Sequence, residues 1–151
     1  MTAAAEPLLL AGPAGRIEAA FDAPDADVPA RPLLAIVCHP LPTEGGSMHN
    51  KVVTMAARAL REVGATTLRF NFRGVGQSEG RFDDGVGELD DLRAVAAWAR
   101  ANHPDKILWL AGFSFGAYVS LRLAVELRAA ALVSIAPPVG RSWDFSAIEV
   151  P

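Results

Sequence analysis

Residues 107–116 read Ile-Leu-Trp-Leu-Ala-Gly-Phe-Ser-Phe-Gly, and this stretch decides the fold. An apolar run, which predicts a strand over 107–111, leads into Gly112-Phe113-Ser114-Phe115-Gly116, and helical spacing over 115–127 follows directly. The G-x-S-x-G pattern between a strand and a helix is typical of a sharp turn that holds a serine away from the backbone. The two glycines are needed because larger side chains would collide in so tight a turn.

Outward from this turn, the chain alternates strands with helices. Further strands are predicted at 33–38, 66–72 and 130–135, and further helices at 48–63 and 88–102. Residues 7–11 and 15–21 flank Gly12-Pro13-Ala14-Gly15 and predict an antiparallel hairpin. Because strands that alternate with helices require a parallel sheet covered on both faces, we expect a mostly parallel α/β fold in a single domain over 1–151.

Composition excludes several classes of protein. Hydrophobic residues make up 51% of the chain and charged residues 21%, with a net charge of −3, which argues against disorder and against nucleic-acid binding. A single cysteine, Cys38, excludes an internal disulfide, and His39 and His49 have no third partner at a metal-ligand spacing. No apolar run is long enough to span a membrane, and residues 1–7 carry no positive charge of the signal-peptide kind. We expect a cytoplasmic protein with no metal or organic cofactor.

Ser114 has two interpretations. It is either a small residue in a glycine-rich turn without a chemical role, or a nucleophile presented at the mouth of the sheet. The buried strand before it and the helix after it favour the nucleophile. In that case the backbone N–H of Phe115, at the start of the helix, points toward an oxyanion formed on the substrate, and the helix dipole stabilises that charge.

The turn after strand 33–38 offers a second donor. His39-Pro40-Leu41-Pro42 follows this strand directly, at the sheet edge where ligands bind in open parallel sheets. Leu41 keeps its N–H, whereas the flanking prolines have none, so Leu41 is a candidate oxyanion donor. For the His39 ring, we expect a structural hydrogen bond to the backbone in preference to a role as general base.

A second glycine-rich loop, Phe72 to Ser78, does not fit a dinucleotide site. The third glycine of a G-x-G-x-x-G pattern would fall at Glu79, and no helix begins directly after it. We expect a tight turn in which Arg73 anchors the loop by hydrogen bonds. Asp83, Asp84, Asp90 and Asp91 are interpreted as a solvated acidic cluster at a helix start, stabilised by the dipole.

The chain resembles the α/β-hydrolase superfamily, most of all small bacterial hydrolases related to dienelactone hydrolases that have little or no lid. The resemblance rests on His39-Pro40, on Phe72-Arg73-Gly74-Val75-Gly76-Gln77-Ser78 and on Gly112-Phe113-Ser114-Phe115-Gly116, and it covers nearly the whole chain. It implies that Ser114 is a nucleophile and that the N–H groups of Phe115 and Leu41 form the oxyanion hole. The implied substrate is a small carboxylic ester or a related acyl compound.

In this family the acid and the histidine of the triad follow the serine along the chain. After Ser114 this sequence has one aspartate, Asp144, and no histidine. We therefore expect a chain that lacks the last strands of the fold, with impaired activity. Strand 130–135 is then an exposed edge through which copies of the chain could associate. The alternative hypothesis is a non-catalytic α/β domain that binds a small ligand or a protein partner.

Overall fold

A six-stranded sheet runs through the molecule, which a computed structural model describes over residues 5–151. Its strands are β1 (Glu6–Gly12), β2 (Gly15–Asp22), β3 (Leu33–Cys38), β4 (Thr66–Phe70), β5 (Ile107–Phe113) and β6 (Ala131–Ile135), in the spatial order β1-β2-β4-β3-β5-β6. The β1–β2 hairpin is antiparallel and joins β4 antiparallel, whereas the β4-β3-β5-β6 part is parallel. The predicted hairpin and parallel sheet are confirmed. Residues 1–4 belong to the N-terminal segment that lacks the positive charge of a signal peptide, and they lie outside the described residues.

Helices cover both faces of the sheet, as predicted. They are α1 (Lys51–Glu62), α2 (Gly87–Asn102) and α3 (Phe115–Leu123), with one 3-10 turn at Pro42–Glu44. Alternate residues of β3 divide between two cores: Leu33, Ala35 and Val37 pack with α1, while Leu34, Ile36 and Cys38 pack with α2 and α3. All six residues of β3 are buried. An unbroken apolar run therefore forms a strand that is covered on both sides.

The first helix begins later than predicted, and only some of its apolar residues are buried. The Asn50 side chain accepts hydrogen bonds from Val52 N–H (2.9 Å) and Val53 N–H (3.3 Å), which caps the helix and sets its start at Lys51. The residues of α1 that reach the core are Val53, Ala57 and Leu60. Met55 fits the helical period of the apolar residues in 48–63, but it is 60% exposed, so helical spacing alone does not identify the buried face.

Strand β6 is the last strand of the sheet in the described part of the chain. It pairs with β5 on one side, and Val133 in it is 39% exposed. Association of chains through this strand stays a prediction. None of the helices in residues 5–151 is long and apolar enough to cross a bilayer.

Candidate active site

Ser114 lies in a sharp turn between β5 and α3. Its backbone angles, φ 55° and ψ −116°, are unusual for a residue with a side chain. Its N–H donates to the carbonyl of Ile135 at the end of β6 (2.9 Å), and its own carbonyl accepts from the N–H of Ala117 (2.9 Å). Hydrogen bonds on both sides hold the strained backbone in place, which is the condition under which such strain persists at functional sites.

The glycines on either side of Ser114 are required by close backbone contacts. A Cβ at Gly116 would overlap the carbonyl of Cys38 and lie 2.6 Å from the carbonyl oxygen of His39. A Cβ at Gly112 would overlap the carbonyl of Gly116. The absence of side chains at 112 and 116 lets the first turn of α3 approach the end of β3. The sequence interpretation of these two glycines is confirmed.

The two predicted amide donors lie at this same corner. Phe115 is the first residue of α3, and Leu41 lies in the turn after β3, between two prolines. Within residues 5–151, neither N–H donates a hydrogen bond to a protein acceptor. The Leu41 carbonyl accepts from the N–H groups of Glu44 (3.1 Å) and Gly46 (3.0 Å), which fixes the conformation of its turn. Both N–H groups are therefore without a protein partner among these residues.

An open cleft of about 540 Å³ lies in front of Ser114. We call it the Ser114 cleft; its lining residues are Leu41, Glu44, Ser114, Ala136, Pro137, Pro138, Val139, Arg141, Ser142 and Trp143. The Ser114 side chain is half-buried, and its Oγ makes no hydrogen bond to any residue in 5–151. The hydroxyl is thus accessible and unengaged.

His39 performs the structural role expected from the sequence. The ring is completely buried; its Nε2 accepts from the N–H of Phe72 (3.0 Å), and its Nδ1 donates to the carbonyl of Pro40 (2.7 Å). Because one partner is a donor and the other an acceptor, only the neutral Nδ1–H tautomer satisfies both. Burial lowers the pKa of His39 from 6.5 to about 4. Neither ring nitrogen is free to act as a base toward Ser114.

This lowered pKa predicts a loss of stability in mild acid. The unfolded chain takes up a proton at position 39 near pH 6.5, whereas the folded chain does so only near pH 4. Between these values the unfolded state binds more protons, so stability rises with pH across this window. We expect the His39 contribution to the free energy of unfolding to be complete above pH 6.5 and to fall by about 3 kcal/mol as the pH drops to 4.

Urea unfolding across this pH range measures the effect, with His39→Gln as the reference that does not titrate at position 39. Carboxylates titrate in both proteins and cancel in the difference between them. That difference should favour the wild type progressively more as the pH rises from 4 to 6.5. A difference that stays constant over the whole range would contradict a buried neutral ring.

The loop from Arg73 to Val86 is tied to α2 by a buried ion pair. Arg73 donates to the Asp91 carboxylate through its N–H (2.9 Å), its Nε (3.1 Å) and its Nη2 (2.8 Å). These bonds raise the pKa of the Arg73 guanidinium. The predicted anchoring by Arg73 is confirmed. The prediction that Asp91 belongs to a solvated cluster was wrong, because it is 1% exposed; Asp83, Asp84 and Asp90 are exposed as expected.

Two residues of this region were missed by sequence reasoning. Buried Glu88 accepts from the N–H groups of Asp83 (2.9 Å) and Gly85 (2.9 Å), which organises the loop before α2. Trp143 lines the Ser114 cleft from the irregular segment after β6. The position of Glu88 near a helix start was a signal from which its role could have been predicted. Nothing in the local sequence pointed to Trp143.

Asp144 and Cys38 do not line the Ser114 cleft. Asp144 is exposed, lines a different cavity beside Arg122, and accepts from the N–H (2.9 Å) and Oγ (2.6 Å) of Ser146, which lowers its pKa. Burial raises the pKa of the Cys38 thiol, so it is an inert core residue. Among the residues that the structure describes, no group of three His, Cys, Asp or Glu side chains could hold a metal ion.

A sequence profile of the alpha/beta hydrolase fold matches residues 36–150. The chain is 42% identical over 139 residues to an uncharacterized protein of Rickettsia prowazekii, covering 89% of this chain and 57% of that protein, so it spans little more than half of that relative's length.

Solved structures of alpha/beta hydrolases are also similar to this chain. XC6422 from Xanthomonas campestris, described as an a/b serine hydrolase without lid, is 63% identical with a TM-score of 0.95, covering 100% of this chain and 69% of that one. A Coxiella burnetii alpha-beta serine hydrolase homologue is 48% identical with a TM-score of 0.87, covering 94% and 66%. With the profile match over most of the sequence and the Ser114 turn in place, the chain belongs to the alpha/beta hydrolase fold family.

Proposed function

We propose that Ser114 is the nucleophile of a serine hydrolase that cleaves a small carboxylic ester or a related acyl compound. The observation that carries this proposal is the Ser114 turn itself. It leaves a free hydroxyl at the end of β5, beside the unpartnered N–H groups of Phe115 and Leu41. These groups line or adjoin one cleft at the carboxyl edge of the parallel strands, where ligands of open α/β sheets bind.

The reaction proceeds as acyl transfer in two steps. The Ser114 Oγ attacks the ester carbonyl carbon, its proton passes to a general base, and the carbonyl oxygen becomes an oxyanion that accepts from Phe115 N–H and Leu41 N–H. The ester bond then breaks, and the leaving alkoxide takes up the proton. Water attacks the acyl-enzyme in the same way and restores the Ser114 hydroxyl. Preorganised N–H donors stabilise the oxyanion without reorganising during the reaction, and no step uses a metal or an organic cofactor.

The histidines of this chain are not placed to act as the general base for Ser114. They are His39, His49 and His103. Both nitrogens of His39 are bonded to the backbone, His49 does not line the Ser114 cleft, and His103 stacks on Phe21 in a separate groove. We propose that the chain by itself turns over esters slowly, with a deficit on the order of 10⁴–10⁶-fold, the effect of removing the base from a serine triad.

Covalent labelling tests the nucleophile without requiring turnover. A fluorophosphonate is incubated with the chain, and the adduct is located by peptide mass analysis. The phosphoryl oxygen occupies the same position as the oxyanion, so the N–H groups of Phe115 and Leu41 accelerate attack by Ser114 even when proton removal is slow. We expect a single adduct at Ser114, formed more slowly than in an ordinary serine esterase.

Ser142 provides an internal control, because it lines the same cleft but lies in an exposed segment. Ser142→Ala should label as the parent chain does, and Ser114→Ala should lose the adduct. Equal labelling of Ser114 and Ser142, or no adduct at Ser114 even after an incubation long enough to allow for the missing base, would overturn the proposal. Either result would favour the rival function, a non-catalytic domain that binds a small ligand or a protein partner.

A further inference from the structure

The Ser114 cleft has two unlike sides. Leu41 and Glu44 lie on one side, in the turn after β3, and Glu44 is exposed with its carboxylate free of hydrogen bonds to residues 5–151. The other side is the segment after β6, which contributes the polar residues Arg141 and Ser142 and the apolar residues Pro137, Pro138, Val139 and Trp143. We call the four apolar residues the apolar wall. An apolar substrate chain gains free energy against the apolar wall and none beside a free carboxylate.

Trp143 is the largest member of the apolar wall, and it is firmly supported from behind. Its ring packs 4.9 Å from the ring of Phe115 and 5.2 Å from the ring of Tyr118, measured between centroids. Phe115 and Tyr118 are themselves buried in the core, at 1% and 7% exposure. Phe145, two residues further on, packs 5.4 Å from the same Tyr118 ring. The irregular segment is thus fixed at Trp143 by contacts with α3.

Gly85 leaves the space that the Trp143 ring occupies. A Cβ at position 85 would lie 2.7 Å from Cζ3 of Trp143, closer than real contacts allow. Glu88 holds this part of the loop by accepting from the N–H of Gly85. The ring is therefore enclosed by α3 on one side and by the loop before α2 on the other. A side chain held in this way has a set position and acts as a rigid surface.

We propose that Trp143 determines which substrates the Ser114 cleft accepts, by providing the surface against which an unbranched aliphatic chain of the ester packs. The inference rests on the proposed function, since Ser114 marks where the ester carbonyl lies. The ligand class is an ester with a short apolar chain on one side of its carbonyl or the other. Each methylene that packs on the ring should raise affinity about fourfold.

Binding to the Ser114→Ala chain tests this, because that chain leaves esters intact. Two series are titrated and followed by ligand NMR: methyl acetate, methyl butanoate and methyl hexanoate, then butyl acetate and hexyl acetate. We expect affinity to rise about fourfold per methylene along one of the series, which identifies the side of the ester that meets Trp143. Trp143→Leu should remove most of that rise while changing methyl acetate binding less than twofold.

Trp98→Leu is the matched control, because Trp98 lines a groove with Phe21 and His103 that shares no residue with the Ser114 cleft. Trp143→Phe keeps an aromatic ring against Phe115, and it serves as a second variant in case Trp143→Leu does not fold. It should retain part of the increase in affinity with chain length. The inference is overturned if neither series gains affinity with length, or if Trp143→Leu and Trp98→Leu give the same slope. Labelling of Ser114 is read separately: length-dependent binding without an adduct refutes the nucleophile alone, and an adduct without length dependence refutes the role of Trp143 alone.

Discussion

Replacing Gly116 by alanine should destabilise the protein by about 3–5 kcal/mol, the upper range for overpacking and backbone strain. The added methyl group would overlap the carbonyl of Cys38 and lie 2.6 Å from the carbonyl oxygen of His39. Both obstacles are backbone atoms of β3 and its following turn, so no side chain can move aside. The end of β3 would have to separate from α3. Urea unfolding measures the loss, and fluorophosphonate labelling of Ser114 should fall with it.

Gly45→Ala is the control for this substitution. Gly45 has φ 80°, which disfavours alanine, but no atom lies within 4 Å of its added Cβ. We expect a cost of about 1–2 kcal/mol there, from backbone conformation alone. Equal losses from the two variants would show that the approach of α3 to β3 is looser than the structure describes.

Asp91→Ala should cost a comparable amount, about 3–5 kcal/mol, because it leaves the mostly buried guanidinium of Arg73 without its partner. The Asp91 side chain is 1% exposed and that of Arg73 13% exposed. Removing the carboxylate also removes the acceptor for the backbone N–H of Arg73. The free energy of unfolding, measured with urea at low and at high salt, should show a loss that salt barely changes, since buried pairs are weakly screened.

Glu126→Ala is the matched control. Arg93 donates to the Glu126 carboxylate through Nε (2.7 Å) and Nη2 (2.9 Å), much as Arg73 donates to Asp91. This pair is exposed, with 40% and 52% of the two side chains accessible. Its loss should cost at most about 1 kcal/mol and less at high salt. A cost for Asp91→Ala as small as that for Glu126→Ala would contradict the assignment of a buried anchor.

The acidic residues before and within α2 show where sequence reasoning reaches its limit. Asp83, Asp84, Asp90 and Asp91 look alike in the sequence, and all four were expected to be solvated. Three of them are exposed, but Asp91 faces inward because of its position on α2 and because the loop returns Arg73 to it. Neither the rotation of α2 nor the path of the loop can be derived from the spacing of charges.

The first helix illustrates the same limit on its apolar face. Spacing alone accommodated both Met55 and Leu60, but the helix rotates so that Val53, Ala57 and Leu60 meet β3 and β4, and Met55 faces solvent. The helical period indicates that a helix has an apolar side. Which of several similar arrangements is buried depends on the surface that the helix packs against.

What could be derived from residue order was local. The turn at Ser114, the glycines at 112 and 116, the strand at 33–38 and the proline-flanked N–H of Leu41 follow from steric limits and from runs of apolar residues within a few positions of one another. The placement of Trp143 in the cleft and the burial of Asp91 required the folded molecule. They depend on contacts between segments far apart in the chain, and such contacts are selected by how the whole core packs.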